Sequence, residues 1–389
     1  MTTVDRWQLP DGVEEVLPRQ ARVVEHLRRE LLDLYHQWGY QLVIPPLMEF
    51  TESLLIGLGR DLDLLTFKMT DQLSGRTLGI RADITPQVAR IDAHSLAEQG
   101  VTRLCYAGST LHTRPKSLLA SRSPIQLGAE LYGDDSLAGD VEIIRLMLAT
   151  LNAAGVAEVT LDLGHVGVYE AVLAAANVTP EQEADVFDAL QRKSRPDLLL
   201  ALTDVAAPAA ELILGLLELH GDAAVLETAR RLLAKAAPEA LTAVAALETV
   251  ATAIARSHPG TTVYFDLAEL RGYHYHTGMV FAAYAPGHGQ ALANGGRYND
   301  VGKVFGRARP ATGFATDLKA LMALVPASPS EPGAVSAPDS DDPALLAAVT
   351  ALRRGGEVVI RCAGEPLDPR CDRVLVKADD EWVLRPLKS

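Results

Sequence analysis

The sequence predicts an α+β fold: an antiparallel sheet flanked by helices, interrupted by a helical insertion and followed by a small C-terminal α/β segment. Three observations predict it. Short strand patterns occur on both sides of a long Ala- and Leu-rich block with helical periodicity. A hairpin-like turn, APGHGQ, separates two of the later strands, and a stretch rich in Pro, Ser, Ala and Asp sets off the C-terminal segment.

Residues 17–38, LPRQARVVEHLRRELLDLYHQW, carry apolar side chains at three- and four-residue spacing and predict an amphipathic helix ended by Gly39. GYQLVIPPLMEF follows as a strand running into a proline-marked bend. LLTFKMT, RTLGIRADI, TRLCYAG and IQLGAELYG read as strands, and TPQVARIDAHSLAEQG as a helix with Thr85 at its N-cap and Pro86 at its first position. A further helix, VEIIRLMLATLNAAG, leads into the strand VTLDLGH. Residues 168–258 form the helical insertion, after which TTVYFDLAEL, YHYHTGMVFAAYA and GQALANGGRYND resume strand patterning. ATDLKALMALV closes this part as a helix. The expected core is therefore 1–167 with 259–326, then a linker at 327–343 and a small segment at 344–389 with one helix and about three strands.

A chain of 389 residues with 48% hydrophobic content can bury a sizeable core. Its 36 basic against 50 acidic residues, a net charge of −14, argue against a general nucleic-acid or anionic-membrane binder, because phosphate contacts need clustered Lys and Arg. No signal peptide is read at the N-terminus. The most apolar stretch, LLLALTDVAAPAAELILGLL, is broken by Asp204, Pro208 and Glu211, which suits a turn between packed helices rather than a membrane span. Cys105, Cys362 and Cys371 have neither metal-ligand spacing nor an even disulfide count, which fits a cytoplasmic protein.

Five stretches carry candidate chemistry. GYQLVIPPLMEF reads equally as helix end, strand and edge prolines. In RADITPQVAR, Asp83 and Thr85 share a face of an extended segment and could hold an ammonium group, although Thr85 serves equally as a cap. In IQLGAELYG, Gln126, Gly128 and Glu130 share one face, with glycine opening a gap between a carboxamide and a carboxylate. In LRGYHYHTGMVF, Arg271 can grip a carboxylate bidentately. His274 and His276 face together on an expected strand, opposite Tyr273 and Tyr275, with no third metal ligand nearby. In NGGRYND, Gly295 and Gly296 permit positive φ, close backbone approach or a bulge.

In this order, with STLHTRPK and RARPATGFATDLKAL, these stretches resemble histidyl-tRNA synthetase, a class II aminoacyl-tRNA synthetase, over roughly residues 8–325. The resemblance implies a class II antiparallel sheet and self-association through the class II dimer interface. It also implies that the phosphate-binding arginine and glutamate of the second motif are replaced here by Leu111 and Thr113, and the adenine-stacking arginine of the third by Ala320. Losing one such charged donor costs about 2.7–4 kcal/mol of transition-state stabilisation. Residues 331–389 hold 8 basic and 11 acidic residues, a net of −3, which does not suit tRNA. The amino-acid pocket of the family is matched by Asp83, Thr85, Gln126, Glu130 and Arg271, with Tyr275 and His276 beside them.

A synthetase-like core altered in this way is similar to the regulatory subunits of short-form ATP phosphoribosyltransferase. That similarity implies a non-catalytic chain with no cofactor. It implies a hetero-oligomer with a short ATP phosphoribosyltransferase catalytic subunit, required for the first step of histidine biosynthesis and for feedback inhibition by histidine. Asp83, Thr85, Gln126, Glu130, Arg271, Tyr275 and His276 are then the histidine-binding residues. A functional histidyl-tRNA synthetase, or a paralogue acting on another target, are the alternatives.

Overall fold

The computed structural model describes residues 7–55, 60–116, 120–270, 272–273, 275–325, 333–364 and 367–387, with residues 60 and 61 described by their backbone alone. Strands are β1 (Gln41–Leu42), β2 (Met48–Phe50), β3 (Phe67–Thr70), β4 (Thr77–Ile80), β5 (Thr102–Ser109), β6 (Ile125–Tyr132), β7 (Thr160–His165), β8 (His220–Gly221), β9 (Thr262–Asp266), β10 (Met279–Tyr284), β11 (Ala293–Arg297), β12 (Ala311–Asp317), β13 (Ala334–Pro338), β14 (Val359–Cys362), β15 (Cys371–Ala378) and β16 (Glu381–Pro386). The core helices are α1 (Pro18–Gln37), α2 (Thr51–Leu54), α3 (Arg60–Leu65), α4 (Thr85–Arg90) and α5 (Leu137–Ala153). Then come α6 (Val166–Ala176), α7 (Pro180–Gln191), α8 (Arg195–Ala201), α9 (Ala207–Leu216), α10 (Ala224–Ala236), α11 (Ala240–Ser257), α12 (Leu318–Met322) and α13 (Pro343–Arg354). The chain divides into two compact units, one ending at Val325 and one starting at Pro326.

The first unit is built on a sheet of order β1-β5-β6-β12-β11-β10-β7-β9-β8. Only β1 with β5 and β7 with β9 pair in parallel; the other neighbours are antiparallel. Strands β10–β12 return after the helical block to pair between β6 and β7, so the sheet is continuous in space while split in sequence. The period-2 pattern of β6 assigns its two faces. Leu127, Ala129 and Leu131 join the main core with Leu27, Leu31 and Tyr35 of α1 and Ile143, Ile144 and Met147 of α5. Glu130 and Tyr132 point the other way, where Tyr106 and Tyr132 meet Ile84 and Val88 of the α4 region in a second apolar cluster. A small sheet, β2-β4-β3, lies in the segment before α4.

Arg81, just after β4, locks that segment to the main sheet. Its buried guanidinium donates to the carbonyls of Pro45 (2.8 Å) and Ser109 (2.9 Å), so the two prolines of GYQLVIPPLMEF serve as acceptors. The apolar stretch at 198–217 is indeed two helices, α8 and α9, joined at 202–206. Among the described residues, α11 is the one helix long and apolar enough to cross a membrane, and its Val244, Leu247, Val250 and Ile254 stripe packs into the main core.

Several expectations are corrected. Tyr273, Tyr275 and His276 are not strand: the N–H groups of Tyr275 and His276 both turn back to the Gly272 carbonyl, and pairing begins only at Met279. Tyr273 and Tyr275 therefore do not share a strand face, and His274 lies outside the described residues. The ATD of ATDLKALMALV belongs to β12, which pairs with β6 as far as Asp317, and the Asp317 carboxylate then caps the short α12. Thr85 is the first residue of α4, not its cap, and Pro86 is the second. In the second unit, a sheet of order β14-β13-β15-β16 packs on α13. Its inner strand β13 occupies 334–338, inside the expected linker: AVSAP pairs with β14 and β15, burying Val335 and Ala337 despite flanking Pro and Ser. Cys362 and Cys371 are free thiols.

Candidate functional site

The face of β6 opposite the main core carries Gln126 and Glu130, and each fixes a different part of the site. The Gln126 amide donates to Asp83 Oδ1 (2.9 Å) and accepts the Ile84 N–H (2.9 Å), while Asp83 Oδ1 also accepts the Thr85 N–H (2.9 Å). This pins residues 83–85 over the sheet and aims the Thr85 hydroxyl at Glu130, 3.1 Å away.

Glu130 is buried, with 1% of its surface exposed. Its Oε1 accepts from Tyr106 (3.0 Å) and Thr85, and its Oε2 accepts a short hydrogen bond from Tyr298. Tyr106 pairs with Gly128, so the gap that glycine opens on this face is filled by the tyrosine hydroxyl. Gly313 on β12 faces Glu130 across the strand pair, and a Cβ there would run into the Glu130 carboxylate and lie 2.8 Å from the Ala129 carbonyl. Gly295 and Gly296 likewise reflect close approach, to the Gly313 carbonyl and to the His276 ring, within an unbroken strand register and without positive φ.

Burial pushes the Glu130 carboxyl up to about 8, against the pull of the Tyr298 and Tyr106 hydroxyls. Burial and the nearby Glu130 charge hold the phenols of Tyr106, Tyr132, Tyr275 and Tyr298 well above their usual range, so all four remain donors at neutral pH. Burial pulls His276 down to about 4, leaving it a neutral ring whose Nδ1 lies 3.3 Å from the Arg297 carbonyl.

Glu130, Tyr275, Tyr298 and His276 line a cavity of about 260 Å³ with Asp83 and Thr85, while Tyr106 stands behind Glu130. Tyr275 stacks on Tyr298 at 4.9 Å and 29°, and His276 meets Tyr275 edge-on at 5.3 Å. Leu62 and Leu65 of α3, and Phe187 and Gln191 of α7, complete the wall. A smaller cavity of about 70 Å³ shares His276, Asn294 and Gly295 with it and reaches Asp162 and Glu269. Of the residues expected from sequence, Asp83, Thr85, Glu130, Tyr275 and His276 line the main cavity, and Gln126 stands behind Asp83. Arg271 lies outside the described residues. Sequence reading missed Tyr106, Tyr298, Tyr132 and Gly313; the one available signal was Gly128, whose strand partner must fill the space above it.

The loop after β5 is built differently. Leu111 N–H donates to the Arg81 carbonyl (3.1 Å), and Thr113 donates its N–H to Leu65 (3.0 Å) and its hydroxyl to Leu64 (2.6 Å). Asp317 accepts the N–H groups of Ile125 and Lys319, both at 3.0 Å, and Lys319 Nζ contacts Glu14 (3.1 Å) and Ser123 (3.2 Å). No positively charged side chain stands at positions 111, 113 or 320.

Comparison with known proteins bears on this geometry. A family profile described as histidyl-tRNA synthetase matches residues 12–321, and one described as the ATP phosphoribosyltransferase subunit HisZ C-terminal domain matches residues 332–385. Proteins named ATP phosphoribosyltransferase regulatory subunit from Thioalkalivibrio sulfidiphilus and Stutzerimonas stutzeri are 55% and 52% identical, each over the whole of both chains. A crystal structure from Bacillus halodurans, described as an ATP phosphoribosyltransferase regulatory subunit/histidyl-tRNA synthetase, superposes with a TM-score of 0.82 at 26% identity, over 94% of this chain and 95% of that one. Histidyl-tRNA synthetase from Nostoc sp. shares the fold, with a TM-score of 0.79 at 18% identity over 98% and 94% of the two chains.

Proposed function

The chain belongs to the family of ATP phosphoribosyltransferase regulatory subunits, and from that premise we propose that it is the non-catalytic partner of a short ATP phosphoribosyltransferase chain. In that role it is required for the first step of histidine biosynthesis and binds histidine as the feedback signal. The observation that carries this reading is an asymmetry between two parts of the first unit. The amino-acid side keeps Asp83, Thr85 and Glu130 around an open cavity, while the nucleotide-side positions are Leu111, Thr113 and Ala320. Adenylation needs positive charge aimed at the phosphates, and those positions supply none.

Histidine fits the retained groups in a definite pose. Asp83, half-buried, and the Thr85 hydroxyl receive the α-ammonium, while the deeper Glu130 and the Tyr275 and Tyr298 rings receive the imidazole. Arg271 is proposed for the α-carboxylate. Feedback then requires that histidine bind more tightly to the inhibited assembly than to the active one. Self-association is proposed through the edge of the sheet at 41–48, where Leu42, Ile44, Leu47 and Met48 are exposed, Ile44 to 80%.

Reconstitution tests the reading. The purified chain is expected to switch on a short catalytic subunit, histidine to suppress that activity, and the chain alone to give no histidine-dependent ATP–pyrophosphate exchange. Exchange activity would instead make it a synthetase, and a catalytic subunit indifferent to its addition would make it a paralogue with another target.

A further inference from the structure

Glu130 is a buried carboxyl whose hydrogen-bond partners among the described residues are all neutral. Three hydroxyls, from Tyr106 on β5, Thr85 on α4 and Tyr298 after β11, occupy its two oxygens. Tyr132 and Tyr275 pack beyond them, and the charge of another acid, Asp83, acts on it unfavourably. The described cations around the site are engaged elsewhere. Arg81 donates to the carbonyls of Pro45 and Ser109, Arg297 is paired with Asp140 at 3.0 Å, and Arg309 is paired with Asp92 at 2.7 Å. His276, the titratable ring on the adjoining turn, is held neutral by burial. Arg271 lies outside the described residues.

A carboxylate in such surroundings lacks a counter-charge among the described residues, and three hydroxyl donors offset only part of the cost of burying the ion. The empty cage therefore favours the protonated acid. A neutral imidazole would add one more neutral donor. A cationic ring would instead supply the missing charge through a charge-assisted hydrogen bond to a buried carboxylate. The burial of the two acids assigns the ligand's ends: Asp83 is half-buried, whereas Glu130 is almost fully buried and bonded to Tyr298, which stacks on Tyr275.

Building on the histidine reading above, we propose that the site selects its ligand as an imidazolium: Glu130 gives its proton to the bound ring. The carboxyl O–H breaks, an N–H forms at the unprotonated ring nitrogen, and the pair left behind is carboxylate and imidazolium, with no proton exchanged with solvent. The cage is thus a recognition device for rings that can take up a proton. A flat, hydrogen-bonding ring of the same size that cannot do so is rejected.

The test is nitrogen NMR of ring-labelled histidine bound to the full chain at pH 7.5, where the free ring, with a pKa of about 6.5, is mostly neutral. Both bound ring nitrogens are expected to show the protonated signature. With Glu130→Gln the bound ring should be neutral and the affinity about tenfold or more weaker, one pKa unit being tenfold. An alanine derivative bearing a 1,2,4-triazole in place of imidazole, whose ring stays neutral, should bind the unsubstituted chain about tenfold or more weakly than histidine. A neutral bound ring in the unsubstituted chain, or a triazole analogue that binds as tightly as histidine, overturns the inference while leaving the histidine pocket standing. Absence of any saturable histidine complex overturns the pocket itself, and the inference with it.

Discussion

Two regions of the first unit, the cage around Glu130 and the loop after β5 with the start of α12, differ in design. Around Glu130, polar side chains converge on a cavity, glycines clear space for them, and the carboxyl is held in a costly buried position. In the loop after β5, a few residues away, the backbone and side chain of Thr113 are tied to the α3 carbonyls, and Asp317 and Lys319 are tied to Ile125, Ser123 and Glu14. The first region gathers its hydrogen-bonded polar groups around a cavity that a ligand can enter; the second ties Thr113, Asp317 and Lys319 into contacts within the chain.

The contrast is broken most severely at Gly313. Gly313→Ala places a methyl against the Glu130 carboxylate, and relieving it means moving either the carboxylate or the β6–β12 pair. Overpacking of this kind costs about 1–3 kcal/mol. Histidine affinity, read by calorimetry, should fall about a hundredfold, close to the upper end of that range. Retained affinity would mean that the ligand does not depend on the position of Glu130.

A second, smaller effect sharpens the contrast through pH. The folded-state value of Glu130, about 8 against an ordinary 4.5, means that the folded chain holds a proton the unfolded chain has released. Stability of the ligand-free chain should therefore fall as pH rises between these values and level off above about 8. His112, His165, His258 and His276, all pulled down by burial, act in the opposite sense, an effect that fades above 6.5, so comparison with Glu130→Gln between 6.5 and 8 singles out the carboxyl. Denaturant midpoints for the unsubstituted chain should decline across that interval, and those for Glu130→Gln should decline less. Parallel slopes would place the proton on another group.

Sequence patterning made the architecture legible where side-chain period and position agree. The α1 stripe, the alternation of β6 and the interruption of the sheet by helices follow directly from it. It failed where composition and pairing disagree. AVSAP looks like linker because Pro and Ser surround it, yet it is an inner strand because its partners, β14 and β15, arrive later in the chain. The YHYH segment has strand-forming residues, but Gly272 at φ 67° and the return of two N–H groups to its carbonyl make it a turn. Within the site, Asp83, Thr85 and Glu130 could be read as polar residues sharing faces. Tyr106 and Tyr298 could not, because an aromatic in an apolar strand looks like core until register puts its hydroxyl over a glycine or beside a carboxylate.

The smallest expected effect asks whether the two regions are independent. Thr113 holds α3 through two hydrogen bonds, and α3 contributes Leu62 and Leu65 to the wall of the cavity. Thr113→Val removes the 2.6 Å bond to the Leu64 carbonyl and keeps the backbone bond and the side-chain shape. The bond lies near the surface, so the freed carbonyl can turn to water, and the stability loss should be about 0.5–1 kcal/mol. Because Leu62 and Leu65 contact the cavity through apolar atoms that the backbone bond still positions, histidine affinity should change by less than about twofold, well inside a 0.5 kcal/mol margin. Calorimetry on this variant beside Glu130→Gln makes the decision. Equal losses of affinity would show that the loop and the cage act as one unit through α3, and the closed half would then be a support for the open one rather than its abandoned neighbour.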